Sequence, residues 1–170
     1  ILQSRRVPAV EDGEVVAKRA SFVLQWMQTQ DAEIVVTEHC PVKIGATMFT
    51  IPSGARCLQI TAFAALDQHS MQVITPADQV IVFGMETHVC VLQTVLDLVA
   101  SGKQVFVVND LSSSTNRFDQ QIAIARMQSH GVIILSSEML LFEWVRGAED
   151  EGFKSMLALV KQLRSQKVLR

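Results

Sequence analysis

The segment Gly84-Met85-Glu86-Thr87-His88-Val89-Cys90 joins an apolar, β-branched run to a stretch of helical periodicity, and so sets a thiol in the first turn of a helix. That is a chemically pointed place for a cysteine. The unpaired amides and the dipole of a helix start stabilise a thiolate, and the same amides can receive a developing oxyanion. Cys90 therefore suits nucleophilic attack, although spacing alone equally allows a small buried thiol that only fills space. His88 could tune the thiol as a nearby imidazole or sit exposed at the helix start. Glu86 reads either as a buried acid or as an acceptor for a neighbouring loop.

A second group lies at Thr37-Glu38-His39-Cys40-Pro41, directly after another apolar run. At the C-terminal end of a parallel strand these side chains face the region where open α/β folds bind ligands, which makes Thr37, Glu38 and His39 candidate pocket residues. Asp110, also ending a strand, is expected to orient the loop from Ser112 to Ser114 through backbone hydrogen bonds. Cys40, Cys57 and Cys90 are odd in number and contain no CxxC pair, so neither a disulfide framework nor a zinc site is expected.

The elements that must hold these residues follow from periodicity. Val15, Val16, Ala20, Val23, Leu24 and Met27 recur at helical spacing between Glu14 and Gln28, with Glu11, Asp12 and Glu14 favouring the start. Residues 32–37 read as a buried strand. Gln79 to Gly84, Val89 to Ser101 and Gln104 to Val108 form a strand, helix and strand, with Gly102 closing the helix. Asn116 to Ser129 is expected as a helix, residues 132–135 as a strand, and Ser136 or Ser137 as the cap of a helix through Trp144. The last twenty or so residues, from Asp150, suggest a helix with Phe153, Met156, Leu157, Val160 and Leu163 on one side. Cys40 to Ser70 contains Pro41, Gly45, Pro52 and Gly54 without clean periodicity and is expected as loops. Continuous apolar strands alternating with helices demand a mainly parallel sheet covered on both faces: a three-layer α/β/α sandwich.

Bulk properties narrow the function classes. With 170 residues, 49% of them hydrophobic and 19% charged, the chain can bury one core, and a single domain over 1–170 is expected. A formal net charge of -2 with scattered lysines and arginines offers no basic field for a nucleic-acid backbone. No apolar run reaches the roughly 20 residues that cross a bilayer, and no basic start leads into an apolar export signal. No membrane partner and an intracellular, cytoplasmic location are expected.

The stretch from Val80 to Thr94, and within it Gly84-Met85-Glu86-Thr87-His88-Val89-Cys90-Val91, resembles the nucleophile region of isochorismatase-like cysteine hydrolases, whose form is a strand followed by G-[IV]-E-[TA]-x-x-C-[VI]-x-x-T. The likeness continues through Asp110, Ala125-Arg126-Met127 and Gly131 to Leu141, and extends over about residues 32–163, closest to the isochorismatase domain-containing subgroup. It implies a Rossmann-like hydrolase fold in which Cys90 attacks a small carbonyl or vinyl-ether substrate. It also implies a non-proline cis peptide from Met85 to Glu86, turning the amides of Glu86 and Cys90 toward the oxyanion. Thr37, Glu38, His39, Phe63 and Thr87 would line the substrate pocket. No cofactor and no metal are implied, His39 lacking the second histidine that metal-binding relatives use. Homo-oligomers are common in the family.

Two family positions depart from the pattern. The aspartate that accepts the thiol proton precedes a sequence like Leu2-Gln3, which places it at Ile1, or ahead of Ile1 if the register differs and part of the first strand is missing. Asp12, among helix-start charges, is a poor substitute. The lysine falls at Ile60 in Ile60-Thr61-Ala62-Phe63-Ala64, with Lys43 as a distant alternative. The resemblance thus supports an enzyme working through Cys90 or, in the other reading, a member that keeps the fold as a binding or oligomerisation module.

Overall fold

The computed structural model describes residues 2–66 and 76–166. A 3-10 turn at Val7–Ala9 precedes helix α1, Gly13–Gln28; strand β1, Val35–His39; short helix α2, Pro41–Ile44; and strand β2, Arg56–Ile60. Strand β3, Gln79–Val82, leads through a π-helical turn at Thr87–Val91 into α3, Leu92–Ala100. Then follow β4, Gln104–Val108; α4, Arg117–Ser129; β5, Ile133–Leu135; α5, Ser137–Trp144; and α6, Phe153–Ser165.

All named strands pair in parallel, β1 with β2 in one sheet and β3 with β4 and β5 in another. Alternation along β4 shows the layering. Val105 and Val107 join one apolar cluster with Val95, Leu98 and Met127 of α3 and α4. Val108, and Phe106 at its margin, join the other, with α1, α5 and α6. Side chains of period two, apolar at every position, are what a strand between two helical layers requires. The architecture is α/β with helices on both faces.

Caps and close approaches fix the connections. Asn116 accepts from the Asp119 amide at 2.9 Å at the start of α4, and Ser136, not Ser137, caps α5 by accepting from the Met139 amide at 3.1 Å. Gly13 opens α1 where a Cβ would lie 1.8 Å from the Val7 carbonyl oxygen, so only glycine fits. The final helix packs on α1: Trp26 Nε1 donates to Ser155 Oγ at 3.1 Å, and Met156, Leu159, Val160 and Leu163 are buried. Residues 167–170 of the expected tail helix lie outside the described residues. Among the described residues no helix is long and apolar enough to cross a membrane.

Three expectations need correction. The loop expected from Cys40 onward contains β2, which pairs with β1 from Val35↔Arg56 to His39↔Ile60. It escapes the periodicity reading because Arg56, Cys57 and Gln59 are exposed and only Ile60 is buried, so an edge strand shows no apolar alternation. Residues 67–70 of that stretch lie outside the described residues. The helix expected from Val89 begins as the π-helical turn at Thr87 and becomes regular only at Leu92. Asp110 does not orient the serine loop. Its carboxylate accepts from the Ser137 amide and Ser137 Oγ, both at 2.6 Å, and is paired with Arg19.

Candidate active site

The loop between β3 and α3 is held open from below. Gly84 has φ 141°, a conformation side chains rarely adopt. Its amide donates to Ser112 Oγ at 3.3 Å, and its carbonyl accepts from the Ser113 amide at 3.3 Å. The Met85–Glu86 peptide is cis. Thr87 is fully buried and donates twice to the Ser113 carbonyl, from its amide at 2.9 Å and its hydroxyl at 3.1 Å. The serine loop from Ser112 to Ser114 thus acts as the floor of the turn, and Ser113 Oγ in turn donates to the Glu11 carbonyl.

The Glu86 carbonyl accepts from the amides of Val89, at 3.1 Å, and Val91, at 3.2 Å, the second bond being the wide turn that makes this helix start π-helical. Such one-turn expansions concentrate at functional sites. Thr94, one turn beyond Cys90, donates from Oγ1 to the Cys90 carbonyl at 2.7 Å and accepts from the Ala65 amide at 2.9 Å, tying the helix to the segment after β2.

Cys90 is half-buried and carries a free thiol. Burial raises the thiol above its ordinary value; the charge of Glu86 adds to that, while a hydrogen bond from the Glu86 backbone and the positive charge of Arg6 pull the other way. Arg6 and Glu86 form an ion pair at 3.3 Å, the Glu86 side chain being largely covered. His88 is engaged by the serine loop and α4: Nδ1 lies 3.0 Å from Ser114 Oγ and Nε2 4.0 Å from Asp119.

Cys90 lines a cavity of about 820 Å³ together with Thr37, Ile60, Phe63, Met85 and Thr94. Of the sequence candidates, Thr37 and Phe63 share this cavity with the thiol. Glu38, His39 and Thr87 are not part of its lining. Glu38 is buried and accepts from the Thr47 amide at 2.9 Å and its hydroxyl at 2.7 Å, which anchors the segment after α2. His39 stacks on Phe63 with ring centroids 5.3 Å apart and Nδ1 3.1 Å from the Ala62 carbonyl. It reaches the cavity only through Phe63. Among the described residues no group of three or more His, Cys, Asp or Glu side chains could share a metal ion.

The two altered positions fall differently. Ile60 ends β2, is buried, and puts an aliphatic side chain on the cavity wall. Ile1 lies outside the described residues. Lys43 sits exposed on α2, and Asp12 takes a left-handed conformation ahead of α1 without capping it. Gln3, which the sequence marked only as part of the family pattern at Leu2-Gln3, is fully buried: Oε1 accepts from the His39 amide at 2.9 Å and Nε2 donates to the Gly45 carbonyl. A glutamine in a polar stretch carries no burial signal; only the fold reveals it.

Comparison with known proteins gives a consistent family. Residues 58–139 match the isochorismatase domain model. The chain is similar to isochorismatase domain-containing protein 2B of Mus musculus, 31% identical over 150 residues that cover 86% of this chain and 71% of the mouse protein. It is similar also to isochorismatase family protein 1B of Dictyostelium discoideum, 39% identical over 163 residues, 90% of this chain and 79% of that one. Among solved structures, the MAR1 ribonuclease of Caenorhabditis elegans superposes with a TM-score of 0.88 at 27% identity, covering 94% of this chain and 85% of that one.

Proposed function

This chain belongs to the isochorismatase family, and from that membership we propose that it is a hydrolase of small carbonyl compounds that works through Cys90 as nucleophile. The observation that carries the reading is the placement of Cys90: a thiol at the start of a helix, on the wall of a largely apolar cavity. Sγ attacks the carbonyl carbon, and a C–S bond forms as the carbonyl π electrons move onto oxygen. The amides of Glu86 and Cys90 receive that oxyanion. As the oxyanion collapses, the bond from the carbonyl carbon to the leaving group breaks, the leaving group departs with the proton given up by the thiol, and a thioester remains on Cys90. Water then cleaves the thioester and frees Cys90.

Burial disfavours the thiolate of Cys90 in the free protein, and the same reading places its activation in the substrate complex. A nucleic-acid substrate, which the name of the Caenorhabditis structure raises, finds little support in a formal net charge of -2. A homo-oligomer is part of the same reading: Phe118 and Ile122, one turn apart on α4, are 71% and 52% exposed and offer an apolar stripe to a second copy. The test is turnover of a panel of small esters, thioesters and amides by the wild-type chain and by Cys90→Ala. Hydrolysis that Cys90→Ala abolishes supports the reading; hydrolysis that persists in that variant removes Cys90 from the chemistry.

A further inference from the structure

Arg6 has a fixed backbone and a lightly held head group. The Arg6 and Val7 amides donate to the Gln3 carbonyl at 2.9 and 3.0 Å, the Ala9 amide donates to the Arg6 carbonyl at 2.9 Å, and Val7 is buried. Gln3 is itself tied to the end of β1, its Oε1 accepting from the His39 amide at 2.9 Å. From there the Arg6 side chain crosses to the turn after β3, where Nη1 lies 3.3 Å from Glu86 Oε1. Among the described residues Glu86 is the partner of that guanidinium, through one oxygen.

A guanidinium carries five N–H donors in a planar fork that matches both oxygens of a carboxylate, and charge-assisted bonds of this kind close to about 2.7–2.9 Å. The Arg6–Glu86 contact is longer and uses one oxygen, and 44% of the Arg6 side chain stays exposed. The pair lies against the thiol. The Glu86 carbonyl accepts from the Val89 and Val91 amides, which wraps the turn around Cys90. Burial raises the thiol most, and the charges of Glu86 and Arg6 then act on it in opposite directions, so both head groups are within electrostatic reach of Sγ. Arg5 and Lys43 add positive charge to the same edge, Arg5 Nη1 donating to the Lys43 carbonyl at 2.8 Å, whereas the Glu38 carboxylate is buried and held by Thr47. A small anion approaching Cys90 therefore meets a cation with donors to spare.

We propose that Arg6 is a specificity-determining residue of this site: its guanidinium anchors a carboxylate of the substrate, and Glu86 holds the guanidinium in place until that carboxylate takes it over in a two-oxygen contact. With Cys90 as the nucleophile, on which this assignment rests, the substrate class narrows to small carbonyl compounds that carry a carboxylate close to the carbon under attack. Arg6 makes and breaks no bond of its own. It orients the substrate and selects its charge.

Iodoacetate and iodoacetamide alkylate the same thiolate and differ by one charge, so the ratio of their rates at Cys90 cancels the ionisation of the thiol and reads the anchoring of the anion. At pH 7 and low salt, Arg6→Gln should lower that ratio about three- to fivefold, the strength of a partly exposed ion pair, and Arg6→Lys should restore part of it. Glu86→Gln removes the competing carboxylate and should raise the ratio, by less when Arg6→Gln is already present. Lys43→Gln takes an equal charge from the same edge and should change the ratio by less than about 1.5-fold. The thermal midpoint of Arg6→Gln should stay within about 2 °C of wild type, its side chain having a single weak partner. A ratio that Arg6→Gln leaves unchanged overturns the proposal, as does a fall that Lys43→Gln matches, which assigns the effect to diffuse charge. A Cys90 closed to both reagents overturns it too. Alkylation needs no turnover, so the two readings fail separately: a chain that keeps the Arg6-dependent ratio but takes no acetyl group at Cys90 from p-nitrophenyl acetate has an anion site at Arg6 and no hydrolase nucleophile.

Discussion

β4 and β1 are both parallel strands of five residues, yet one is enclosed and the other is half open. Val105 and Val107 of β4 lie under α3 and α4, Val108 faces the layer of α1, α5 and α6, and neighbours pair along both edges. Among the described residues β1 pairs with β2 alone, and residues of both its ends line the cavity that holds Cys90. Stability is concentrated where packing is complete, and the candidate chemistry sits where it is not.

Arg19 offers the strongest way to test the first half of that contrast. Its guanidinium is paired with Asp110, donates to Ser137 Oγ at 3.0 Å and to the Gln166 carbonyl at 2.9 Å, and so joins α1, α5 and the end of α6. Arg19→Ala should cost about 3 to 5 kcal/mol by urea unfolding, because it strands a half-buried carboxylate and several acceptors. Met127→Ala, in the closed core between α4 and β4, should cost about 3 kcal/mol. Leu58→Ala on β2, where the side chain is only half-buried, should cost less than about 1 kcal/mol. Equal losses at Met127 and Leu58 would break the comparison.

The open side should respond in reactivity rather than stability. Ile60→Lys puts an ammonium on the wall that Cys90 shares; a nearby positive charge favours the thiolate, and a shift of one pKa unit raises alkylation by iodoacetamide at pH 7 about tenfold. Glu86→Gln removes a charge that raises the thiol and should speed alkylation about two- to threefold, while Arg6→Gln should slow it. Rates for Cys40 in the same digests provide the internal reference. A smaller effect concerns pH. A thiol held above its ordinary value contributes stability that is complete below the unfolded thiol's range and lost as pH rises through the raised value. The Cys90→Ala chain should therefore lose less stability than wild type on the alkaline side of pH 8, a difference absent at pH 6.

What the sequence revealed follows the same division. The apolar runs of β3, β4 and β5 and the caps at Asn116 and Ser136 are local signals, so the enclosed half was legible at once. β2 was not, since an exposed edge strand has no apolar alternation to read, and neither was the π-helical turn, which costs one extra residue that periodicity averages away. The motif around Cys90 marked the turn that carries it and the cis peptide from Met85 to Glu86. It could not tell that Glu38 is spent on Thr47, that Asp110 serves Arg19 and Ser137, or that Gln3 completes the edge of β1, because each depends on a contact across more of the chain than any local pattern spans.

The central claim is that Cys90 forms a covalent bond to a carbonyl carbon inside the cavity. Its most direct test is mass spectrometry of the chain quenched in acid seconds after mixing with p-nitrophenyl acetate at pH 7. An acetyl group is expected on Cys90, absent from Cys40 and Cys57, that decays with time and that Cys90→Ser slows or abolishes. An acetyl group spread over all three cysteines in proportion to their exposure, or none at Cys90, would contradict it.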